Sequence, residues 1–328
     1  MKKNLWMLGA AVAALTSCTQ SEVVEIPESR VIGFESHVDK TTRAMTQING
    51  VGTQTNDLNK FYVYGYEGTT SYFDGTTVTY DGSKFTYNPH QQWKAGKTYD
   101  FAAYSNGNAV HTSSITYAQI PGGSQLTISD YTVGDNDLMA AIVAPISINA
   151  AASNTPDYVS LTFDHMLCVV TLSLTNGGSN YLKIGDIAVD GIKTNICKYS
   201  IINGIKSCNW GTANVADDAY TFTGTGDDYI EPAGRHVVSL FFIPQSTDIA
   251  VAIPVTTYTK SGDTYVESTT ETKNTTLKIV ENDNTASWQN GKHYVYNGTL
   301  SGQVHYIHFD AMVTSWGEPV NNTLIFSN

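Results

Sequence analysis

Asp164 and His165 stand side by side between two segments of strand composition, and a carboxylate beside an imidazole is the simplest acid/base pair a chain can offer. A histidine in that setting is more often a hydrogen-bonded structural residue. No nucleophile elbow, P-loop, H-E-x-x-H or glycine-rich dinucleotide motif accompanies it. His305 and His308 have odd spacing, so an extended strand turns them to opposite faces and denies them a shared metal. Asp135-Asn136-Asp137 and the run from Gly224 to Asp228 carry calcium-type oxygens, yet neither has a full ligand set and both have the composition of turns. These residues predict no catalytic site, no cofactor and no resident metal.

Two other positions invite chemistry done to the chain rather than by it. Lys2 and Lys3 precede an apolar run from Leu5 to Leu15, too short to cross a bilayer and laid out as a secretory signal. Leu15-Thr16-Ser17-Cys18 fits the lipobox of bacterial lipoprotein precursors, whose cysteine is diacylated and becomes the first residue after cleavage. More than one acyl chain anchors a protein stably. Residues 1–17 are thus expected to be a signal peptide and 18–30 a lipidated linker. The second position is Arg43, one of only three arginines with Arg30 and Arg235. It sits among small residues in a long polar stretch, where proteolytic nicking concentrates, and suits an arginine-specific protease; a solvated loop arginine is the alternative.

Both positions flank a strand. In VIGFESHV, Ile32, Phe34 and Val38 share one face with Ser36, the pattern of a half-buried strand. A cut at Arg43 that removed this strand would leave unpaired backbone groups and apolar pockets, a groove another chain's strand can fill. The C-terminal VNNTLIF, Val320–Phe326, suits such a donor and equally suits a closing strand.

The rest of the chain is all-β in pattern. Segments rich in Val, Ile, Thr, Tyr and Phe, among them Phe61–Tyr66, Thr98–Tyr104, Leu138–Val143, Val159–Phe163, Leu167–Thr175, Ile249–Tyr258 and Lys292–Leu300, are separated by turn signals such as Asp74-Gly75 and Gly122-Gly123. Trp93-x-x-Gly96-Lys97-x-Tyr99-x-Phe101 matches Trp288-x-x-Gly291-Lys292-x-Tyr294-x-Tyr296, an internal repeat that favours two β-sandwich units. The polar NAAASNTPDY, Asn149–Tyr158, reads as the linker, giving units over 31–153 and 154–328.

The formal net charge of −12 becomes more negative once Lys2 and Lys3 leave with the signal, which argues against nucleic acid as a partner. Three cysteines besides Cys18 make an odd number. Cys168 reads as a small core residue, and Cys197 and Cys208 flank a hairpin centred on Asn203-Gly204 with a diagonal offset, so a bridge between them is not the favoured reading.

Together the lipobox Cys18, the strand Ile32–Phe34 followed by Thr42-Arg43-Ala44, Asp137-Leu-Met-Ala-Ala141, Leu161-Thr-Phe-Asp-His165-Met-Leu, and Trp288-x-x-Gly-Lys-x-Tyr with Phe309-Asp-Ala-x-Val-x-x-Trp316 resemble the fimbrillin family, lipoprotein-precursor pilins of anaerobic Gram-negative bacteria. The resemblance implies two tandem transthyretin-like β-sandwich domains, export to the outer membrane through a lipid on Cys18, and cleavage between Arg43 and Ala44. It further implies assembly with other fimbrial subunits by strand exchange. The expected role is a structural or adhesive subunit of a surface fimbria, with host or bacterial surface ligands as further partners. The alternative is an anchored glycan-binding surface lipoprotein that never polymerises, which an exposed aromatic platform would favour.

Overall fold

The computed structural model describes residues 31–38, 58–107, 114–211, 220–245, 249–278, 287–301 and 309–315. Among them there is no helix, and the strands form four sheets. The first has seven strands in the order β1 (Gly33–Val38), β9 (Tyr158–His165), β8 (Met139–Ser147), β5 (Thr98–Ser105), β2 (Lys60–Glu67), β3 (Thr70–Tyr80) and β4 (Phe85–Thr86). All its pairings are antiparallel except that of β1 with β9. The second joins the hairpin of β6 (Ser114–Ile120) and β7 (Gly123–Thr132) to that of β13 (Thr194–Ile202) and β14 (Ile205–Trp210), with β7 beside β13.

The third sheet runs β16 (Arg235–Phe242), β10 (Cys168–Asn176), β19 (Lys292–Leu300) and β20 (Phe309–Ser315). In the fourth, β17 (Ile249–Ser261) carries β11 (Tyr181–Ile184) and β12 (Ile187–Val189) along one side and β18 (Thr264–Leu277) along the other, with β15 (Tyr220–Phe222) beyond β12.

Alternation along the strands divides the interior into two cores. Phe61 and Val63 of β2, Tyr99, Phe101 and Ala103 of β5, and Val159, Leu161 and Phe163 of β9 meet on one face of the seven-stranded sheet. Ala102 and Tyr104 of β5 and Ala140 and Ile142 of β8 point the other way, into a larger core shared with the other three sheets. β5 and β10 are both buried along nearly their whole length, β10 with leucines alternating with small hydroxyl side chains.

The sheets do not follow the expected 153/154 division. That point lies between β8 and β9, two neighbours in one sheet, and β7 from the first half pairs with β13 from the second. The polar composition of 149–154 has a local cause. Asn149 N–H donates to Asn154 Oδ1 at 2.8 Å, the Asn149 side-chain amide donates to Ser153 Oγ at 2.8 Å, and Asn154 donates to the Ser147 carbonyl at 2.8 Å. This is a self-bonded hairpin loop.

Candidate functional site

β1 ends the seven-stranded sheet and runs parallel to β9 in continuous register from Gly33 opposite Tyr158 to Val38 opposite Phe163. Just ahead of it, Val31 bridges Gln92, the Ile32 amide donates to the Gln91 carbonyl at 2.9 Å, and the Tyr87 hydroxyl donates to the Ile32 carbonyl at 2.7 Å. Burial pushes the Tyr87 hydroxyl up to about 12, so it stays a donor across the physiological range.

Two side chains lock the strand inward. Ile32 is fully buried and Phe34 is 2 % exposed. The Phe34 ring lies 5.5 Å from Phe73, 5.6 Å from Tyr87, 5.8 Å from Phe101 and 6.4 Å from Phe61, mostly edge to face. Burying a side chain of this size contributes about 1.5–3 kcal/mol, and the ring contacts add to it. Between the two, a Cβ on Gly33 would stand 2.6 Å from Tyr158 Cδ1 and 3.0 Å from the Asp157 carbonyl oxygen, so only glycine allows this close approach. On the outer face the exposed His37 pairs with Glu35 at 3.3 Å. The result is a strand held by apolar knobs on one face and by one strand neighbour along one edge.

A second feature lies where β9 ends against β14 and the turn before β19. An open cleft of about 220 Å³ is lined by Asp164, Tyr199, Lys206, Cys208, Asn290 and Gly291, among others. Asp164 accepts a short hydrogen bond from the Tyr199 hydroxyl and an ion pair from Lys206 at 3.2 Å. His165 turns inward and meets the Asp137 carboxylate through Nδ1, both side chains being buried. Burial raises the Asp137 carboxyl above the usual range while His165 pulls it down. These contacts pair Asp164 with Lys206 and tie β9 to its surroundings.

A family model described as fimbrillin-like matches residues 42–316. The chain belongs to the fimbrillin-like family. A fimbrial protein from Bacteroides vulgatus has the same overall fold at 13% identity and a TM-score of 0.59, covering 88% of this chain and 99% of that one. Two further solved structures are more distant in shape. A putative cell adhesion protein from Bacteroides uniformis has 15% identity, TM-score 0.47, and covers 87% of this chain and 98% of its own. The fimbrial anchor protein from Porphyromonas gingivalis has 12% identity, TM-score 0.36, and covers 87% and 98%. No curated protein matches.

In this fimbrillin-like protein Ile32 and Phe34 occupy one pocket system, as their alternation predicts. The Val38 backbone pairs with Phe163, and its side chain lies outside the described residues. Cys18, Arg43, Ala44, Val320–Phe326, His305 and His308 also lie outside the described residues. Asp137, read above as part of a calcium-type turn, is instead occupied by His165. The sequence reading missed the pocket walls Phe73 and Tyr87. Phe73 sits in β3, where Asp74-Gly75 had the signature of a turn; the structure accommodates them as a bulge, with Gly75 at φ +68° and the register to β2 shifting between Val63 and Gly65.

Proposed function

We propose that the protein is a structural or adhesive subunit of a cell-surface fimbria in which β1 is a temporary occupant of its own groove. The carrying observation is the contrast in how β1 is held. Two deeply seated side chains, Ile32 and Phe34, fix it from one face, while one strand, β9, pairs along its length. Among the described residues, a chain severed after β1 sheds it by breaking no strand pairing but that with β9 and the short Val31–Gln92 bridge, leaving β9 with free backbone groups beside an aromatic pocket. In this reading the precursor is exported as a lipoprotein anchored at the outer membrane through Cys18, an arginine-specific protease cuts between Arg43 and Ala44, and a strand from another subunit enters the groove. Other fimbrial subunits are then the main partners.

Digesting the lipid-free precursor with an arginine-specific protease, with N-terminal sequencing and gel electrophoresis, tests this. A single cut giving a chain that begins at Ala44, followed by SDS-resistant ladders, is the expected result. Resistance of Arg43 in a folded protein, or a clean cut with no oligomers, overturns the strand-exchange route.

One observation favours the anchored glycan-binding alternative. Tyr229 stacks on Tyr265 with centroids 3.9 Å apart, Tyr181 and Tyr258 pack edge-on around them, and Lys183 stands 4.5 Å over the Tyr229 ring. The rings are half-buried and largely engaged with one another. Glycan-array binding lost in Tyr229→Ala would support this alternative; an array without signal removes it.

A further inference from the structure

We propose that Cys197 and Cys208 form a disulfide in the exported protein, clasping the edge strand β14 to the centre of its sheet. Across the hairpin, Cys197 is opposite Trp210 and Tyr199 is opposite Cys208, so the two cysteines are diagonal neighbours on one face. Strand twist brings one of the two diagonals of an antiparallel pair together. Here it brings the Sγ atoms to 3.6 Å. A disulfide bond is about 2.05 Å, so closure brings the two sulfurs about 1.5 Å closer. Cys168, the remaining described cysteine, is buried in β10 with its thiol directed at the Phe242 carbonyl of β16, which removes it from competition.

The surroundings assign an order to the chemistry. Cys208 is half-buried and lines the cleft beside Asp164, whereas Cys197 is fully buried beneath it. The oxidant is a dithiol-exchanging disulfide, either small-molecule or carried by an oxidoreductase. The Cys208 thiolate, having lost its proton to solvent, attacks one sulfur of that disulfide; the S–S bond breaks, one thiol leaves, and a mixed disulfide forms on Cys208. The Cys197 thiolate then attacks Cys208 Sγ and expels the second thiol. Two protein thiols and one external disulfide become one protein disulfide and two external thiols, with two electrons passing to the oxidant. The inference rests on the proposed export: a signal over residues 1–17 would send the chain to a compartment where such disulfides persist.

The clasp has a mechanical consequence. β14 is an edge strand, with Ile205 at its hairpin end 73% exposed, and edge strands are the ones that peel or pair with other chains. Bonding it to β13, which is itself paired to β7, ties the edge to the β6–β7 hairpin of the same sheet.

The test equilibrates the full-length protein with mixtures of oxidised and reduced glutathione and reads intact mass and peptide maps. Cleavage after Lys193, Lys198 and Lys206 places Cys197 in Thr194–Lys198 and Cys208 in a peptide beginning at Ser207. The expected result is a protein two hydrogens lighter, a cross-linked pair of those two peptides, and a thermal midpoint roughly 5 °C higher than in reductant. Cys208→Ser and Cys197→Ser should each lose the cross-link and the redox dependence of the midpoint. Two results overturn the proposal: both thiols remaining free in the most oxidising mixture, or a glutathione adduct on Cys208 that Cys197 never resolves. The wild-type map alone decides between these results, so a poorly folding variant does not blunt the test.

Discussion

The two copies of the tryptophan repeat are built alike down to single hydrogen bonds, and they differ first at a ring. In the first, the Lys94 amide donates to the Tyr99 hydroxyl at 2.8 Å; in the second, the Gln289 amide donates to the Tyr294 hydroxyl at 2.8 Å. Gly96 and Gly291 turn the chain with φ of +70° and +69°. The difference lies at the last position. Tyr296 accepts the Trp288 indole N–H at 2.9 Å, whereas Phe101 has no hydroxyl and the buried Trp93 indole nitrogen has no acceptor among the described residues. Phe101 spends its edge elsewhere, 5.8 Å from Phe34. The first copy thus offers the bare Phe101 ring to Phe34 of β1, and the second belongs to the larger core. The copy beside β1 forgoes a hydrogen bond that the copy in the larger core makes.

The largest expected effect comes from emptying the pocket that holds Phe34. Phe34→Ala removes the ring that fills the pocket and should cost about 3–5 kcal/mol. Hydrogen exchange should place the loss in β1 and β9, with β10 and β19 protected as before. Equal loss in β10 and β19 would mean that the two copies do not belong to separately loaded cores, and the contrast would fall.

A second difference between the copies is chemical. The residue before the repeat tyrosine is Thr98 in the first and His293 in the second. Burial holds the His293 imidazole down at about 4, with Nε2 2.8 Å from Thr171 Oγ1. The unfolded chain, titrating near 6.5, takes up the proton first. The stability carried by a neutral His293 is complete above about pH 6.5, declines as pH falls toward 4 and levels off below, amounting to about 3 kcal/mol at most. Urea denaturation between pH 7 and 4 should show this slope, and His293→Thr should flatten the part that His293 contributes. An unchanged slope in the variant would assign the titration elsewhere.

The indoles separate the copies next. Trp288→Phe breaks a buried hydrogen bond, while Trp93→Phe discards an N–H that has no acceptor, so with similar loss of volume the first should cost about 1–3 kcal/mol more. Equal costs would show that Trp93 finds a partner in solution, water being the obvious one.

How much of this was readable in advance depends on where the information sits. The inward face of β1 was legible because Ile32 and Phe34 alternate within six residues. The pocket was not, because its walls come from β2, β3, β5 and the segment after β4, and only the assembled sheet brings Phe61, Phe73, Tyr87 and Phe101 around one ring. Strands with apolar alternation or continuous apolar runs, such as β2, β5 and β10, announced themselves. β18 did not, because its exposed run TYVESTTETKNTTL owes its extension to pairing with β17. Nor did a polar loop reveal whether it separates units or folds back on itself. That depended on the bonds Asn149 and Asn154 make, and their composition is the same either way.

The smallest effect is the sharpest check on the repeat itself. Gly96 and Gly291 share a left-handed backbone that an alanine adopts only at a cost of about 1 kcal/mol. Nothing lies within 4 Å of a Cβ added at Gly96, and at Gly291 the nearest atom is His165 Cβ at 4.0 Å, an ordinary contact. Sterics therefore contribute little at either site, and Gly96→Ala and Gly291→Ala should lower stability equally in chemical denaturation. The equality matters more than the size, because it isolates what the two copies have in common from the ring at which they diverge. A markedly larger loss at Gly291 would mean that its turn also positions the buried His165 and Asp137, and the second copy would then owe its closed core to that network as well as to the Trp288 and Tyr296 bond.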